Sequence, residues 1–272
     1  MTAAPKPDFL SGTSGQVSGV RLTTTALALD ELCDAVSWAL LERRRLRAAA
    51  ARWPRRRILA LSIEREGEPT LLPEARAELG RSRHRVDFEW AVTGSLGKFE
   101  NLNALLEQHP PQGYDWLLVI DDDVALPRGF LDFFILLAER FELKLAQPAH
   151  RYRSHAAWKV TRRRPASLVR ETAFVEIGPV TAFHSTTFDT LIPFPPLKVG
   201  WGLDAHWSAV ARQRGWKLGI VDATPVRHGL RAIAAAYDHQ HAVDEARQFL
   251  AERPYTPANE AERTMVTHRV LR

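Results

Sequence analysis

The sequence predicts an α/β fold in which a mixed, mostly parallel sheet is flanked by helices and preceded by an N-terminal helical extension. Apolar runs of strand length alternate with segments of helical spacing from residue 57 onward, which is the pattern of strands joined by helical crossovers. The run YDWLLVI at 114–120 is almost entirely apolar and is typical of a strand covered on both faces. Before the first strand, residues 24–50 have the spacing of an amphipathic helix.

The composition is that of a globular protein with a basic charge balance. The chain has 272 residues, 45% of them hydrophobic and 25% charged, and a formal net charge of +5. These values allow a sizeable core and favour anionic partners. Cys33 is the only cysteine, so an intramolecular disulfide and a cysteine-based zinc site are excluded. We find neither a signal peptide nor a run of about 18 apolar residues and therefore expect a cytoplasmic protein.

The first part of the chain is expected to form a flexible tail and then the helix of residues 24–50. Its apolar residues Leu29, Leu32, Cys33, Val36 and Leu40 fall on one face, which predicts that this face packs inward. Three roles are open for this helix. It is expected to be an arm of a homodimer, a packing helix, or a lid over the side of the site where an acceptor molecule would bind. Arginines follow at positions 43, 44, 45, 47, 52, 55, 56 and 57. They form either a solvated helix end or a patch for a peripheral membrane contact or a charged acceptor.

The remaining elements follow in order along the chain. Residues 57–63 form a predicted buried strand, and 84–92 a second one because their apolar side chains alternate. Short apolar runs predict further strands over 114–120, 143–148, 171–180 and 217–223. Helical spacing, supported by a proline near one start and a glycine after one end, predicts helices over 99–109, 127–141, 203–215 and 244–253. The polar stretch 148–170 is predicted to be a loop over the site.

Three consecutive aspartates, Asp121, Asp122 and Asp123, follow the apolar strand at 114–120. Ligands of open α/β sheets bind beyond the carboxyl ends of the strands, where these residues lie. Side chains alternate along an extended chain, so Asp121 and Asp123 are predicted to share one side. Two such carboxylates suit Mn²⁺ or Mg²⁺, with a diphosphate completing the shell. The alternative is three solvated acids that cap the helix starting near Pro127.

Three more residues are candidates for the same site. Lys98 stands in a glycine-containing stretch that is not a P-loop, because Phe99 follows the lysine. It is a candidate phosphate ligand, and Asn103 a candidate for bonding a base or ribose; the alternatives are a surface lysine and a polar helix face. His228 follows a late strand and becomes a third metal ligand if the fold brings it beside the aspartates.

A tryptophan, an acid and a run of arginines are further candidates. In VGWGLDAHW at 199–207, two glycines flank Trp201, which places an indole for stacking on a sugar ring. Asp204 begins a helix, whose N-terminus favours the ionised form that a general base requires. The alternatives are a core tryptophan and a helix-capping acid. Guanidinium groups match diphosphate oxygens, which makes candidates of Arg162, Arg163 and Arg164, unless this run is a solvated face.

A strand followed by Asp-x-Asp, a Trp-Gly-acid motif and a late histidine together resemble a GT-A glycosyltransferase. That fold is a Rossmann-like α/β domain that uses a nucleotide-sugar donor and a divalent metal. More narrowly, the segments 154–177, 200–207 and 219–229 are similar to a GT-A-related family, common in plants and bacteria, that is known as a domain of unknown function. The match covers about residues 57–232. It predicts a tail and helical arm at 1–54, a GT-A catalytic domain at 55–235 and a C-terminal helical tail at 236–272.

The resemblance implies a donor site for a nucleoside-diphosphate sugar. Asp121 and Asp123 would hold Mn²⁺ or Mg²⁺ on the donor diphosphate, with Asp122 beside them in the donor site. His228 would complete the metal shell. UDP is the commonest nucleotide partner of this arrangement.

The resemblance also implies roles in the transfer itself. Asp204 would be the catalytic base of an inverting enzyme, although such members often show two or three acids in a row where this chain has one, followed by Ala205. Trp201 and Trp158 would hold the acceptor, a hydroxyl compound of unknown type. The arginines at 162–164 would close over the phosphates with their loop.

Two other classes fit parts of the sequence. An Asp-x-Asp phosphohydrolase also places its aspartates after an apolar strand. Its nucleophile usually lies on the first strand and is often followed four positions later by Thr or Val, whereas here the aspartates come after about 120 residues and that position is Ala125. A basic nucleotide- or polyanion-binding module without catalysis fits the net charge. No nucleic-acid-binding motif is apparent, so we expect no nucleic-acid partner.

Overall fold

The computed structural model of the protein describes residues 7–10, 24–40, 43–229 and 238–271, except for the side chains of residues 37–40. Within these ranges the chain forms nine α-helices and nine β-strands. The helices are α1 (Thr24–Leu40), α2 (Arg43–Arg52), α3 (Leu72–Gly80), α4 (Lys98–Gln108), α5 (Phe130–Arg140), α6 (Phe188–Leu191), α7 (Leu203–Arg214), α8 (His239–Leu250) and α9 (Ala258–Ala261). The strands are β1 (Arg57–Glu64), β2 (Arg85–Val92), β3 (Trp116–Asp121), β4 (Val124–Ala125), β5 (Leu143–His150), β6 (Val169–Thr172), β7 (Val180–His184), β8 (Lys217–His228) and β9 (Thr264–His268).

The strands of the described residues form one mixed sheet in the order β2-β1-β3-β7-β5-β8-β6-β9, with β4 paired to β8. The pairs β1–β2, β1–β3 and β5–β8 are parallel, and the other five are antiparallel. Followed across the sheet, β1, β2, β3, β5, β8 and β9 run in one direction, and β4, β6 and β7 in the other. The predicted mixed, mostly parallel α/β sheet is confirmed, because six of the nine strands run in the same direction. The three reversed strands pair with strands of the majority direction, so five of the eight pairs are antiparallel.

Helices cover both faces of the sheet, which explains the continuous apolar run in β3. Leu117 and Val119 pack into a cluster on one face together with residues of α4, α7 and α8. Leu118 and Ile120 pack into a cluster on the opposite face with residues of α2, α3 and α5. Successive side chains of a strand point to opposite faces, so this strand needs an apolar residue at each position. Burial of each such side chain stabilises the fold by about 1.5–3 kcal/mol.

Most predicted elements are found, and the differences have physical reasons. The single helix predicted over 24–50 is two helices, α1 and α2, on either side of residues 41–42, which lie outside the described residues. The strand predicted over 171–180 is wrong, because the chain leaves β6 after Thr172 and enters β7 only at Val180. A cis Gly178–Pro179 peptide bond lies between them, and proline donates no ladder hydrogen bond. The elements α3, α6, α9, β4 and β9 were not predicted.

The C-terminal segment also differs from the helical tail predicted for 236–272. It contains α8 and α9, but β9 pairs with β6 and extends the sheet. Helix α8 packs into the same core cluster as α4 and α7. Residues 238–271 therefore belong to the sheet and its core, whereas the domain boundaries at 54 and 235 stay predictions.

Helix α1 packs through Asp30 and through Cys33 of the predicted apolar face, whereas Leu29 and Leu32 of that face are exposed. Leu29 and Leu32 are 44% and 60% exposed, whereas Asp30 is buried. The Asp30 carboxylate accepts hydrogen bonds from the backbone N–H groups of residues 152 and 153, and Arg163 Nη1 lies 3.2 Å from it. A buried carboxylate requires such partners, and they orient the helix. Packing is thus established, and the dimer arm and the membrane patch stay predictions. No helix in the described ranges has the length and apolar content needed to cross a membrane.

Candidate functional site

The pairing of β4 with β8 brings three of the predicted site residues together. Strand β3 ends at Asp121, the chain turns, and Val124 of β4 lies opposite His228, the last residue of β8. Asp123 Oδ1 is consequently 2.9 Å from His228 Nε2. Asp121, Asp123 and His228 each offer one ligand atom, and these atoms lie within 4.8 Å of one another. The three residues, two carboxylates and an imidazole at the strand ends, are called the acid–histidine cluster below.

The donor set of the acid–histidine cluster fits a divalent cation. Carboxylate oxygens suit Mg²⁺ and Mn²⁺, and an imidazole shifts the preference toward the softer ions, which favours Mn²⁺ over Mg²⁺. Asp123 is buried, and Asp121 and His228 are partly exposed, so the cluster is open on one side. Three protein ligands leave room for phosphate oxygens, as Mg²⁺ and Mn²⁺ sites commonly require.

The like charges of Asp121 and Asp123 are balanced by basic side chains of the protein. Lys98 Nζ donates to Asp121 Oδ1 at 2.5 Å, and His228 faces Asp123. Burial by itself disfavours charged His228, but the hydrogen bond and charge of Asp123, with the charges of Asp121 and Glu176, raise its pKa above the usual value. The aspartates therefore coexist through their contacts with Lys98 and His228, and a cation is not needed merely to reconcile them.

Asp122 hydrogen-bonds to the loop before α3, whereas the sequence predicted that it would lie in the binding site of the nucleotide-sugar donor. Its carboxylate accepts the backbone N–H of Arg65 at 2.9 Å. Its carbonyl oxygen accepts the N–H of Leu71 at 2.6 Å and the hydroxyl of Thr70 at 3.0 Å. These bonds fix the loop before α3 to the end of β3, and they explain why the side chain does not join the acid–histidine cluster.

The turn between β6 and β7 passes directly over Asp121. The N–H of Asp121 donates to the carbonyl of Pro179 at 2.8 Å. A Cβ atom on Gly178 would lie 2.8 Å from Asp121 Oδ2, so a larger residue there would displace the Asp121 carboxylate. The segment 175–179 is therefore part of the wall of the acid–histidine cluster, although the sequence predicted it as strand.

Asp204 lies at the start of α7 and is 6% exposed. Burial raises the pKa of its carboxyl to about 7, an effect that the N–H groups of Ala205 and Ile177 oppose and the charge of Glu176 reinforces. The Ala205 N–H is 2.8 Å from Asp204 Oδ1. The sequence predicted that the helix N-terminus would keep this acid ionised, but desolvation outweighs that effect. A carboxyl with a pKa near neutrality is well matched to general base catalysis.

Sequence reasoning missed three residues that border the cluster. Glu176 acts electrostatically on both His228 and Asp204, so it links the acid–histidine cluster to the buried acid. His150 Nε2 lies 3.4 Å from Glu176 Oε2, and the rings of His155 and His228 meet edge to face with centroids 6.3 Å apart. Burial lowers the pKa of both His150 and His155. The available signal was their place in 148–177, a stretch interpreted as a loop and a strand.

The two tryptophans predicted to hold an acceptor belong largely to the core. Trp158 is buried, and its ring centroid lies 4.4 Å from that of Phe174. Trp201 is 9% exposed and meets His239 edge to face at 5.0 Å. Gly200, with φ +86°, places this loop against α4, where a Cβ would lie 2.1 Å from the Phe99 ring. Both tryptophans therefore offer little ring surface, and their roles in holding an acceptor stay predictions.

Among the helix and loop residues predicted to bind the nucleotide-sugar donor, only Lys98 borders the acid–histidine cluster. The Asn103 side-chain amide donates to the Phe194 carbonyl at 2.7 Å and accepts the Phe194 N–H at 2.9 Å. It joins α4 to the loop after α6, so the role in binding a base or ribose is not supported. Whether Lys98 contacts a phosphate stays a prediction.

The arginines at 162–164 build the loop over the β5 and β8 ends. Arg162 Nη1 donates to the carbonyls of Arg151 and Ser154 at 2.9 and 2.6 Å. The side chain of Arg163 is buried and pairs with Asp30 of α1. Arg164 is exposed. The first two guanidinium groups are thus engaged within the protein, and the predicted diphosphate role of Arg164 stays a prediction.

No protein-family model matches the chain, and no curated protein matches it in sequence. Three solved structures resemble part of the fold. GalNAc-T7 with UDP, GalNAc and Mn²⁺ is 11% identical over 65% of this chain, with a TM-score of 0.43, and the match spans 44% of the GalNAc-T7 chain. A197 from STIV is 11% identical over 67% of this chain and 99% of its own, with a TM-score of 0.41. A mycobacterial protein is 14% identical over 83% of this chain and 87% of its own, with a TM-score of 0.46. None of these comparisons supports the narrower family of unknown function.

Proposed function

We propose that the protein is a metal-dependent glycosyltransferase that moves a sugar from a nucleoside-diphosphate sugar to an acceptor hydroxyl. The observation that carries this proposal is the acid–histidine cluster, Asp121, Asp123 and His228 within 4.8 Å, at the ends of sheet strands. The segment 175–179 connects it to Asp204, a buried acid with a pKa of about 7. A metal-phosphate site and a base of suitable pKa are the two parts that sugar transfer to a hydroxyl needs.

The donor diphosphate is proposed to bind at the acid–histidine cluster. A bound Mn²⁺ or Mg²⁺ would neutralise charge on the departing nucleoside diphosphate. Lys98 supplies a positive charge at the same edge, because its ammonium group already lies 2.5 Å from Asp121 Oδ1. UDP is the proposed nucleotide, on the resemblance to GT-A enzymes.

Asp204 is the proposed catalytic base. Its carboxylate would take the proton of the acceptor hydroxyl while the oxygen attacks the anomeric carbon opposite the leaving diphosphate, which gives an inverted product. The low exposure of Asp204 raises its proton affinity, and exclusion of water favours the acceptor over hydrolysis. Retention of the anomeric configuration, seen by NMR of the product, would remove Asp204 from this role.

Thermal unfolding with UDP and Mn²⁺, separately and together, tests the site. Saturation at about 100 times Kd stabilises a protein by about 2.7 kcal/mol, which corresponds to a rise in Tm of roughly 5–10 °C for a chain of this size. We expect that rise only with both ligands, and its loss in Asp121→Asn and Asp123→Asn. The exposed Asp244 of α8 supplies the matched control, and Asp244→Asn should keep the rise.

Three results would contradict the proposal. If no nucleoside diphosphate stabilises the protein with any divalent metal, the donor site does not exist. If UDP binds equally well to the Asp121→Asn and Asp123→Asn variants, the protein is a nucleotide- or polyanion-binding module. Release of phosphate from phosphomonoesters without sugar transfer would instead identify a phosphohydrolase.

A further inference from the structure

Beside the acid–histidine cluster, four polar side-chain atoms are buried without a hydrogen-bond partner among the described residues. They are Gln147 Nε2, His150 Nε2, His155 Nδ1 and Glu176 Oε2. The residues Gln147 and His150 are fully buried, and His155 is 7% exposed. Unsatisfied buried polar groups are rare in native proteins and costly. Within the ranges that the structure describes, Gln147 Nε2 and His155 Nδ1 have no partner, and His150 Nε2 and Glu176 Oε2 have only their long 3.4 Å contact with each other, which indicates that a further polar group satisfies this neighbourhood.

The four atoms belong to one connected group. The N–H of Glu176 donates to Gln147 Oε1 at 2.5 Å, and Glu176 Oε2 is 3.4 Å from His150 Nε2. Ser154 ties the group to the end of β8, because its hydroxyl accepts the N–H of His228 at 2.9 Å and lies 3.4 Å from His150 Nδ1. The unpartnered atoms therefore adjoin His228 of the acid–histidine cluster.

The chemistry of the four atoms selects among ligands. An anionic ligand is disfavoured because the negatively charged carboxylate of Glu176 would repel it. A second metal is disfavoured because, in the described part of the chain, only Asp121, Asp123 and His228 bring three ligand atoms within 4.8 Å, and an amide nitrogen is a donor only. Gln147 Nε2 donates, Glu176 Oε2 accepts and each histidine nitrogen does one or the other. Neighbouring hydroxyl groups, which both donate and accept, match this mixed set.

We propose that Gln147, His150, His155 and Glu176 form a pocket that holds hydroxyl groups of the transferred sugar. This inference rests on the proposed function, which requires the sugar to lie between the diphosphate at the acid–histidine cluster and the base Asp204. Glu176 is placed in that interval, because the segment 175–179 contacts Asp121 at one end and lies within electrostatic range of Asp204 at the other. The pocket would decide which sugar is transferred.

Calorimetry with Mn²⁺ separates the sugar contribution from the nucleotide contribution. The probes are UDP, UDP-glucose, UDP-galactose and UDP-N-acetylglucosamine, and the variants are Glu176→Gln and His155→Phe, which keeps an aromatic ring beside His228. We expect affinity for the preferred UDP-sugar to fall about tenfold more than affinity for UDP, the effect of one hydrogen bond to a charged group. Glu171, beside His268 at 2.9 Å on the β6–β9 edge, gives the control Glu171→Gln, which should bind all four probes as the wild type does.

Equal loss of affinity for UDP and the UDP-sugars, or no loss for either, would overturn the pocket and leave the proposed function standing. If wild type binds neither UDP nor any other nucleoside diphosphate with a divalent metal, the proposed function fails, and binding of free sugars then tests the pocket. Saturation-transfer NMR with glucose, galactose, mannose and N-acetylglucosamine should then show a signal that Glu176→Gln weakens. Absence of any signal from the four sugars would mean that the buried atoms hold ordered water only.

Discussion

Replacing Asp204 with asparagine is expected to make the protein more stable at alkaline pH and to abolish sugar transfer. The carboxyl is 6% exposed, and burial raises its pKa from an ordinary value of 3.8 to about 7. A group whose pKa is raised by folding binds its proton more tightly in the folded state. Its contribution to stability is fully present below about pH 3.8 and is lost as the pH rises to about 7. Above that pH, a buried carboxylate destabilises the fold.

The size of the effect follows from the two pKa values. The interval from 3.8 to about 7 corresponds to about 4 kcal/mol. For a single site, about 2–3 kcal/mol of this total falls between pH 5 and pH 8. Asparagine does not titrate, and its side-chain oxygen can still accept the Ala205 N–H that lies 2.8 Å from Asp204 Oδ1. The free energy of unfolding of Asp204→Asn should therefore gain about 2–3 kcal/mol relative to wild type over this pH range.

Urea unfolding of both proteins at pH 5, 6, 7 and 8 measures this difference, and transfer from UDP-sugar with Mn²⁺ measures activity. Loss of a general base should lower kcat by about 10²–10⁴-fold, so the more stable variant should be the inactive one. The control Asp244→Asn, on the surface of α8, shows how removal of an exposed carboxylate changes the free energy of unfolding and the transfer activity. A gap in stability that stays constant between pH 5 and pH 8 would refute the burial argument, and retained transfer would refute the role as base.

Two further predictions concern buried and partly buried ion pairs. Arg170 and Asp222 are both inaccessible, with Nε 2.8 Å from Oδ2, so Arg170→Met should lower the free energy of unfolding by about 3–5 kcal/mol. The double variant Arg170→Met with Asp222→Leu should recover part of this loss, as measured by urea unfolding. A loss in the double variant equal to or greater than that of Arg170→Met alone would contradict this prediction. Lys98→Met removes the partner of Asp121 and should tighten binding of Mn²⁺ alone by about 2–5-fold, while it weakens binding of UDP with Mn²⁺. Calorimetry that shows both affinities falling together would contradict this expectation.

The parts of the fold that the sequence predicts well are those governed by local periodicity. The continuous apolar run in β3 follows from helices on both faces, and the helix after Asp204 follows from its spacing and its glycine end. Helix α1 shows the limit of that reasoning. Its inward side is decided by Arg163, more than a hundred residues away, which pairs with Asp30. A long-range ion pair leaves no periodic trace in the sequence, so the leucines were assigned to the wrong side.

The candidate site divides in the same way. The neighbouring positions of Asp121 and Asp123 are visible in the sequence because they flank a strand end. The contact with His228 depends on the register of β4 against β8, which no local pattern specifies. Glu176 was missed for a related reason, since a cis Gly178–Pro179 turn interrupts what has the composition of a strand. Arg162 was assigned to diphosphate binding because charge alone does not show that its guanidinium group donates hydrogen bonds to loop carbonyls.

The ion pairs of the acid–histidine cluster also affect how metal and donor would bind. Lys98 occupies one oxygen of Asp121, and His228 faces Asp123, so a metal alone must compete with both contacts. A diphosphate offers Lys98 another anionic partner and supplies further oxygen ligands to the cation. Metal and nucleotide should therefore each raise the affinity for the other by the same factor, as linkage requires. The aspartates that first suggested a cation thus already contact basic residues, and under the proposed function a bound diphosphate would shift the balance toward the metal.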